Sequence, residues 1–217
     1  MENNLHLTLS NIIKNQNYEI INSILGIQGL LISDLESAVS LFICAKDIIH
    51  HSLVDFLPTE KFENASDIVN YKRKYQDLIV KIAKAVEKSK NDIENNQIVI
   101  GSVYKGEKSI ALEAYPSQDI LSFAEKIKMS VKTEGDFPKV KGFPPEKPEK
   151  FAINIIRFFR KITGTENQIF NERVVELNQQ LENKPIIFNL KNLSLVISDD
   201  YLSNPNPEVA NFIINLK

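Results

Sequence analysis

Residues 33–57 read SDLESAVSLFICAKDIIHHSLVDFL, and the reading of this stretch sets the expected fold. Ser33 followed by Glu36 has the spacing of a capping box, in which each side chain accepts a backbone N–H that the first helical turn leaves free. Leu35, Ala38, Phe42, Ala45, Ile49, Leu53 and Phe56 recur at steps of three and four, the spacing of one helix face. Pro58 would end that helix. Leu41, Ile43, Ile48 and Val54 widen the apolar surface and leave a narrow polar stripe of Ser37, Ser40, Cys44, Asp47, His51 and Asp55. The expectation is a largely buried central helix.

Working outward, residues 5–31 read as one or two short helices on Leu9, Ile12, Ile13, Ile20, Ile21, Ile24 and Leu25, stopping near Gly26 and Gly29. Residues 66–95 read as a long helix with Ile68, Tyr71, Tyr75, Leu78, Ile82 and Ala85 inward, suited to antiparallel packing on the central one. The period then changes. Residues 98–104 and 107–114 flank Lys105-Gly106 as a β-hairpin, with Val99 opposite Leu112 and Gly101 opposite Ile110. Ser117 opens a helix through Ile120, Phe123, Ile127 and Val131.

Residues 133–149, TEGDFPKVKGFPPEKPE, admit neither helix nor interior strand and form a boundary, as a linker or a surface loop. Beyond it, residues 151–162 read as an amphipathic helix, 165–184 as another, 186–190 with 193–197 as a second hairpin, and Asn206-Pro207 as the cap of a last helix. The expected fold class is α+β, predominantly α: an N-terminal antiparallel helical bundle with a small antiparallel β-sheet formed by two hairpins. The expected parts are 1–132, the loop 133–149, and 150–217 packed back onto the first part as one domain.

With 217 residues, 43% hydrophobic, the chain is long enough for a sizeable core. Cys44 is the sole cysteine, which excludes an intrachain disulfide and favours a reducing compartment. MENNLHL lacks the pattern of a secretory signal, and the longest uncharged run, 20–33, is too short and broken to span a bilayer. A cytoplasmic protein without a membrane span is the expectation. Lys and Arg against Asp and Glu number 3 against 8 in residues 1–65, 19 against 13 in 66–164 and 4 against 7 in 165–217. The basic middle fits an acidic partner or nucleic acid, although ordinary solvated helix faces also account for it.

Two constellations stand out. Asp47, His51 and Asp55, with Cys44 before them, would project from one side of the central helix, as ligand types for zinc or iron or as a thiol beside an imidazole. A matching Glu-x-x-His on a second helix is missing, and a solvated polar stripe is the preferred account. Lys74, Lys81, Lys84 and Lys88 flank the long helix beside Tyr71 and Tyr75, and Arg157, Arg160 and Lys161 form a denser patch on a later one. Facing the same way, the two would track phosphates. Asp199-Asp200 after an apolar strand is read as a turn rather than a cation site. No P-loop, Gly-x-Gly-x-x-Gly, Cys-x-x-Cys, His-Glu-x-x-His or Gly-x-Ser-x-Gly occurs, and no cofactor is implied. The functional expectation is a non-catalytic interaction or accessory protein with a protein partner within a larger assembly, nucleic acid being one candidate component of it. The alternative is a small metal- or thiol-dependent enzyme or sensor using the 33–57 stripe.

Overall fold

The chain begins with a strand. In the computed structural model, which describes residues 4–13, 18–33, 41–44, 49–132, 150–160, 162, 164–199 and 208–214, β1 (Asn4–Ile12) is followed by α1 (Tyr18–Ile32), β2 (Leu41–Ile43) and β3 (His50–Lys61). Then come α2 (Ala65–Lys74), α3 (Gln76–Ser89), the hairpin β4 (Gln97–Lys105) and β5 (Ser109–Pro116), and α4 (Gln118–Lys132). The last part holds β6 (Phe151–Phe158), α5 (Gly164–Asn183), β7 (Ile186–Asn189), β8 (Asn192–Asp199) and β9 (Glu208–Ile213). The strands make two antiparallel sheets, ordered β3-β1-β8-β9 and β2-β6-β5-β4-β7. The fold is α+β, and the helical bundle expected for the N-terminal part is overturned.

Four segments expected to be helical hold strands, and in three of them the residues show why. Leu5, Leu7 and Leu9 are buried on one side of β1 while His6, Thr8 and Ser10 alternate with them, a period of two. In β3 the period is hidden. Its pairing with β1 slips twice, Leu5 facing Glu60 but Leu7 facing Phe56, and Leu9 facing Val54 but Ser10 facing Ser52. Each slip adds residues to β3, so Ile49, Leu53 and Phe56 fall at steps of four and three, as on a helix. Pro58 sits within the first bulge of this edge strand, where a missing N–H costs little. In β6, Phe151, Ile153 and Ile155 alternate inward until a slip between Ile110 and Ala111 of β5 turns Ile156 and Phe158 inward as well. The last segment, expected as a helix, is β9, paired with β8.

The first hairpin forms, in another register: Val99 faces Tyr115 and Leu112 faces Val103. The second does not. β7 pairs with β4 and β8 with β1, so the chain changes sheets at Leu190 and Lys191. The segments that do keep a 3.6-residue period are helices: α3 buries Leu78, Ile79, Ile82 and Val86, and α4 buries Ile120, Phe123, Ile127 and Val131. Asn64 and Asp67 close a capping box on α2, and Tyr75 separates α2 from α3. No helix of the described residues is long and apolar enough to cross a membrane.

Each sheet has an apolar and a polar side. On the four-stranded sheet Leu5, Leu7, Leu9, Val54, Phe56, Leu193, Leu195 and Ile197 form the apolar side, with α3 against β9 and α4 against β3. On the five-stranded sheet α5 lies against β4, and α1 against β6 and β7. The sheets meet where β3 runs against β6, and there His51 stacks on Phe151. Both rings belong to the apolar sides of their sheets.

Candidate ligand site on the four-stranded sheet

The polar side of the four-stranded sheet is built by alternation. Because Leu5, Leu7 and Leu9 point into the core, His6, Thr8 and Ser10 must point the other way. The register brings Asp55 of β3 opposite Thr8, Ser52 of β3 and Ser194 of β8 opposite Ser10, and Val196 opposite Thr8. One face thus carries an imidazole, four hydroxyls and a carboxylate, His6 and Thr8 lying about 7 Å apart along the strand.

Thr8 and Ser10 are 1% and 0% exposed, and Ser194 is also buried, whereas His6, Ser52 and Asp55 are half-buried. Burying hydroxyls on a central strand is costly unless they are hydrogen-bonded. Thr8 Oγ1 meets that demand by donating to Asp55 Oδ1 at 3.2 Å. Ser10 Oγ does not: it has no hydrogen-bond partner among the described residues. An unmade bond at such a site costs about 1–3 kcal/mol, which apolar Ala or Val would avoid. The retained hydroxyl, beside a carboxylate-held threonine and an imidazole, is suited to a ligand carrying hydroxyl or amide groups, because each of these side chains can both give and accept or is met by one that can.

Behind this face the pair Asn11 and His51 closes the seam. Asn11 Nδ2 lies 2.9 Å from His51 Nε2, so Nε2 accepts and the ring proton resides on Nδ1. His51 Nδ1 and Asn11 Oδ1 have no partner among the described residues. Burial, and then the neighbouring charge of His50, push the His51 pKa down to about 3, so the ring is neutral.

The residues singled out from sequence are distributed differently. His51 faces the apolar side of β3 and Asp55 the polar side, Cys44 lies buried after β2, and Asp47 falls outside the described residues. The single helix that would have aligned them does not exist, and among the described residues no three His, Cys, Asp or Glu are placed to hold a metal. Burial raises the Cys44 thiol to about 11, only partly opposed by Arg157, the reverse of an activated nucleophile. Lys81, Lys84 and Lys88 do share α3, while Lys74 ends α2 in an ion pair with Glu60 at 2.6 Å. Arg157 is on strand β6, Arg160 makes a two-pronged bond to Glu166 at 3.0 and 2.7 Å, and Lys161 lies outside the described residues, so these three do not form a helical patch. Asp199 ends β8. His6, Thr8 and Ser10 were missed because residues 5–31 were given to helices; the alternation with Leu5, Leu7 and Leu9 was the available signal.

No protein-family model matches the chain, and no curated protein does. Among solved structures, the chain is similar to a conserved protein of unknown function from Agrobacterium tumefaciens, with a TM-score of 0.58 at 9% identity over 99% of this chain and 86% of that one. That likeness concerns the fold alone. A comparison with Usb1 of Kluyveromyces marxianus covers 99% of this chain and 98% of that one at 11% identity, with a TM-score of 0.42, too low to argue from.

Proposed function

We propose that this protein is a non-catalytic accessory protein of an assembly that contains RNA, and that the polar side of its four-stranded sheet holds the sugar hydroxyls of a ribonucleotide strand. The observation that carries this reading is the Thr8–Asp55 pair on a face whose His6, Ser52 and Asp55 are half-buried and reachable, with the buried Ser10 hydroxyl, unpartnered among the described residues, beside them. A ribose 2′-OH both donates and accepts, and it matches a face of hydroxyls, imidazole and carboxylate better than an isolated phosphate, which Asp55 would repel. The basic balance of residues 66–164 supports an anionic strand as partner.

The test is fluorescence anisotropy with labelled single-stranded RNA and the DNA of the same sequence at two salt concentrations. RNA is expected to bind more tightly than DNA, and Ser10→Ala and Thr8→Val are expected to erase the difference. Equal binding of RNA and DNA by the unaltered protein, or binding of neither, overturns the reading.

A second reading rests on His6, whose imidazole stands two residues from Thr8 on the same face and is half-buried. Such a group can take or give a proton to a phosphodiester oxygen. Release of nitrophenol from a chromogenic phosphodiester, abolished by His6→Ala, would favour this over a purely binding role.

A further inference from the structure

The polar side of the five-stranded sheet carries a different chemistry. Tyr104 and Tyr115 stand on it 59% and 38% exposed, with Ser102, Glu113 and Asn154 between and beside them. An edge of each ring passes close to a glycine. An added Cβ on Gly101 would meet the Tyr115 ring at 3.4 Å, and one on Gly106 would meet the Tyr104 ring at 3.3 Å. The Tyr115 hydroxyl is held by Glu113 at 3.1 Å, and Ser102 Oγ bonds the same carboxylate at 2.6 Å. Tyr104 and Tyr115 are separated along the hairpin by the step from Ala111 to Tyr115, about 13 Å. Beside Tyr104 opens a cleft of about 490 Å³, between the hairpin turn with Lys105 and the far wall of Phe158, Ile162 and the first turn of α5. That volume accommodates a nucleobase or a nucleoside.

Cations edge this surface. Lys150 pairs with Glu113, Lys105 Nζ donates to Asn167 at 2.6 Å, Arg157 sits opposite Ser109 on the same side, and Lys108 is exposed in the hairpin loop. Glu107 and Glu113 offset part of this charge. Exposed aromatic rings on a sheet, with basic side chains at the margin, are the arrangement on which unpaired bases stack while the backbone tracks the cations.

We infer that Tyr104 and Tyr115 form a stacking platform for two unpaired bases of a single-stranded nucleic acid, with the cleft beside Tyr104 receiving one of them. This rests on the ribonucleotide reading above. It adds the base-binding half and the preference for single strands.

The experiment compares a labelled single-stranded RNA, its duplex and an abasic strand of equal length on the full chain. The single strand is expected to bind best. Tyr104→Ala and Tyr115→Ala are each expected to weaken it about tenfold, Tyr→Phe to leave it unchanged, and neither change to affect the abasic strand. The chain has no tryptophan, so Tyr104→Trp and Tyr115→Trp give site-specific fluorescence that stacking should quench. Single-strand affinity unchanged in both alanine variants, or no quenching in the tryptophan variants, overturns the platform. A failed ribose site reads differently, as a lost RNA-over-DNA ratio with the tyrosine effects intact.

Discussion

The imidazole of His51 stacks on the ring of Phe151, with 5.4 Å between centroids and 20° between planes, and this contact joins the two sheets. His51 is 0% exposed and held neutral, its pKa depressed to about 3 chiefly by burial. In the unfolded chain the same group takes a proton near its ordinary 6.5. Between these values the unfolded state binds more protons than the folded one. The stability His51 contributes is therefore complete above pH 6.5 and is lost as pH falls towards 3, at up to about 1.4 kcal/mol per pH unit. Urea midpoints at pH 7, 6, 5 and 4 should fall accordingly. In His51→Leu that part of the slope should vanish, with about 1–3 kcal/mol lost at pH 7 where the Asn11 amide has no partner.

Asn178 repairs the edge of β4 beyond β7. β7 covers β4 only from Gln97 to Ile100, and a slip at Gly101 re-aims the remainder of the strand. The amide of Asn178 on α5 then acts as a short piece of strand: its Oδ1 accepts from Val103 N–H at 2.6 Å, and its Nδ2 donates to the Val103 carbonyl at 3.1 Å. Asn178→Ala should cost about 1–3 kcal/mol in urea denaturation, and Asn178→Asp should leave the carbonyl half unmet. Hydrogen exchange at the Val103 amide should quicken in Asn178→Ala while that of Ile110, inside the β5–β6 ladder, changes only with global stability.

Legibility in the sequence depended on the uniformity of the period. α3 and α4 were readable because Leu78, Ile82 and Val86, and Ile120, Phe123 and Ile127, keep the helical step without interruption. The β4–β5 hairpin was readable as an element, but the slip at Gly101 hid its register. β3 and β6 were not readable, because bulges convert alternation into steps of three and four, and that local spacing is identical to a helix face. β7 and β8 looked like one hairpin because nothing in Leu190-Lys191 shows that Leu190 N–H bonds Asn96 and Ile214 N–H bonds Lys191 on different sheets. The site was lost with β1: once Leu9 and Ile12 were assigned to a helix, His6 and Thr8 no longer shared a face.

Gln28 fastens α1 to the five-stranded sheet. It is 3% exposed, and its Nε2 donates to the carbonyls of Cys44 at 2.9 Å and Ile155 at 2.8 Å, where β2 leaves β6. Gln28→Leu preserves volume but takes the side-chain donor from the buried Cys44 carbonyl and leaves the Ile155 carbonyl with the Cys44 N–H alone, with an expected loss of about 1–3 kcal/mol. Gln28→Glu places a carboxylate against those oxygens and should cost more at pH 7 than at pH 5. Thermal melts at the two pH values distinguish the variants, since the leucine form has no such added dependence.

Cys44 supplies a direct reading of how firmly that corner is closed. The thiol is 1% exposed, its backbone N–H bonds Ile155 O at 3.0 Å, and burial raises its pKa to about 11. At pH 8 the thiolate fraction is about a thousandth, and the sulfur is shielded as well. A thiol-specific disulfide reagent should therefore label native protein slowly and label urea-unfolded protein at once, with one equivalent per chain, since Cys44 is the sole cysteine. If opening of the α1–β2 corner limits labelling, Gln28→Leu should speed the native reaction in proportion to its local destabilisation, roughly tenfold for each 1.4 kcal/mol. Rapid labelling of the unaltered protein at pH 8 would mean that the thiol is neither buried nor raised, and would reopen the question of a reactive cysteine.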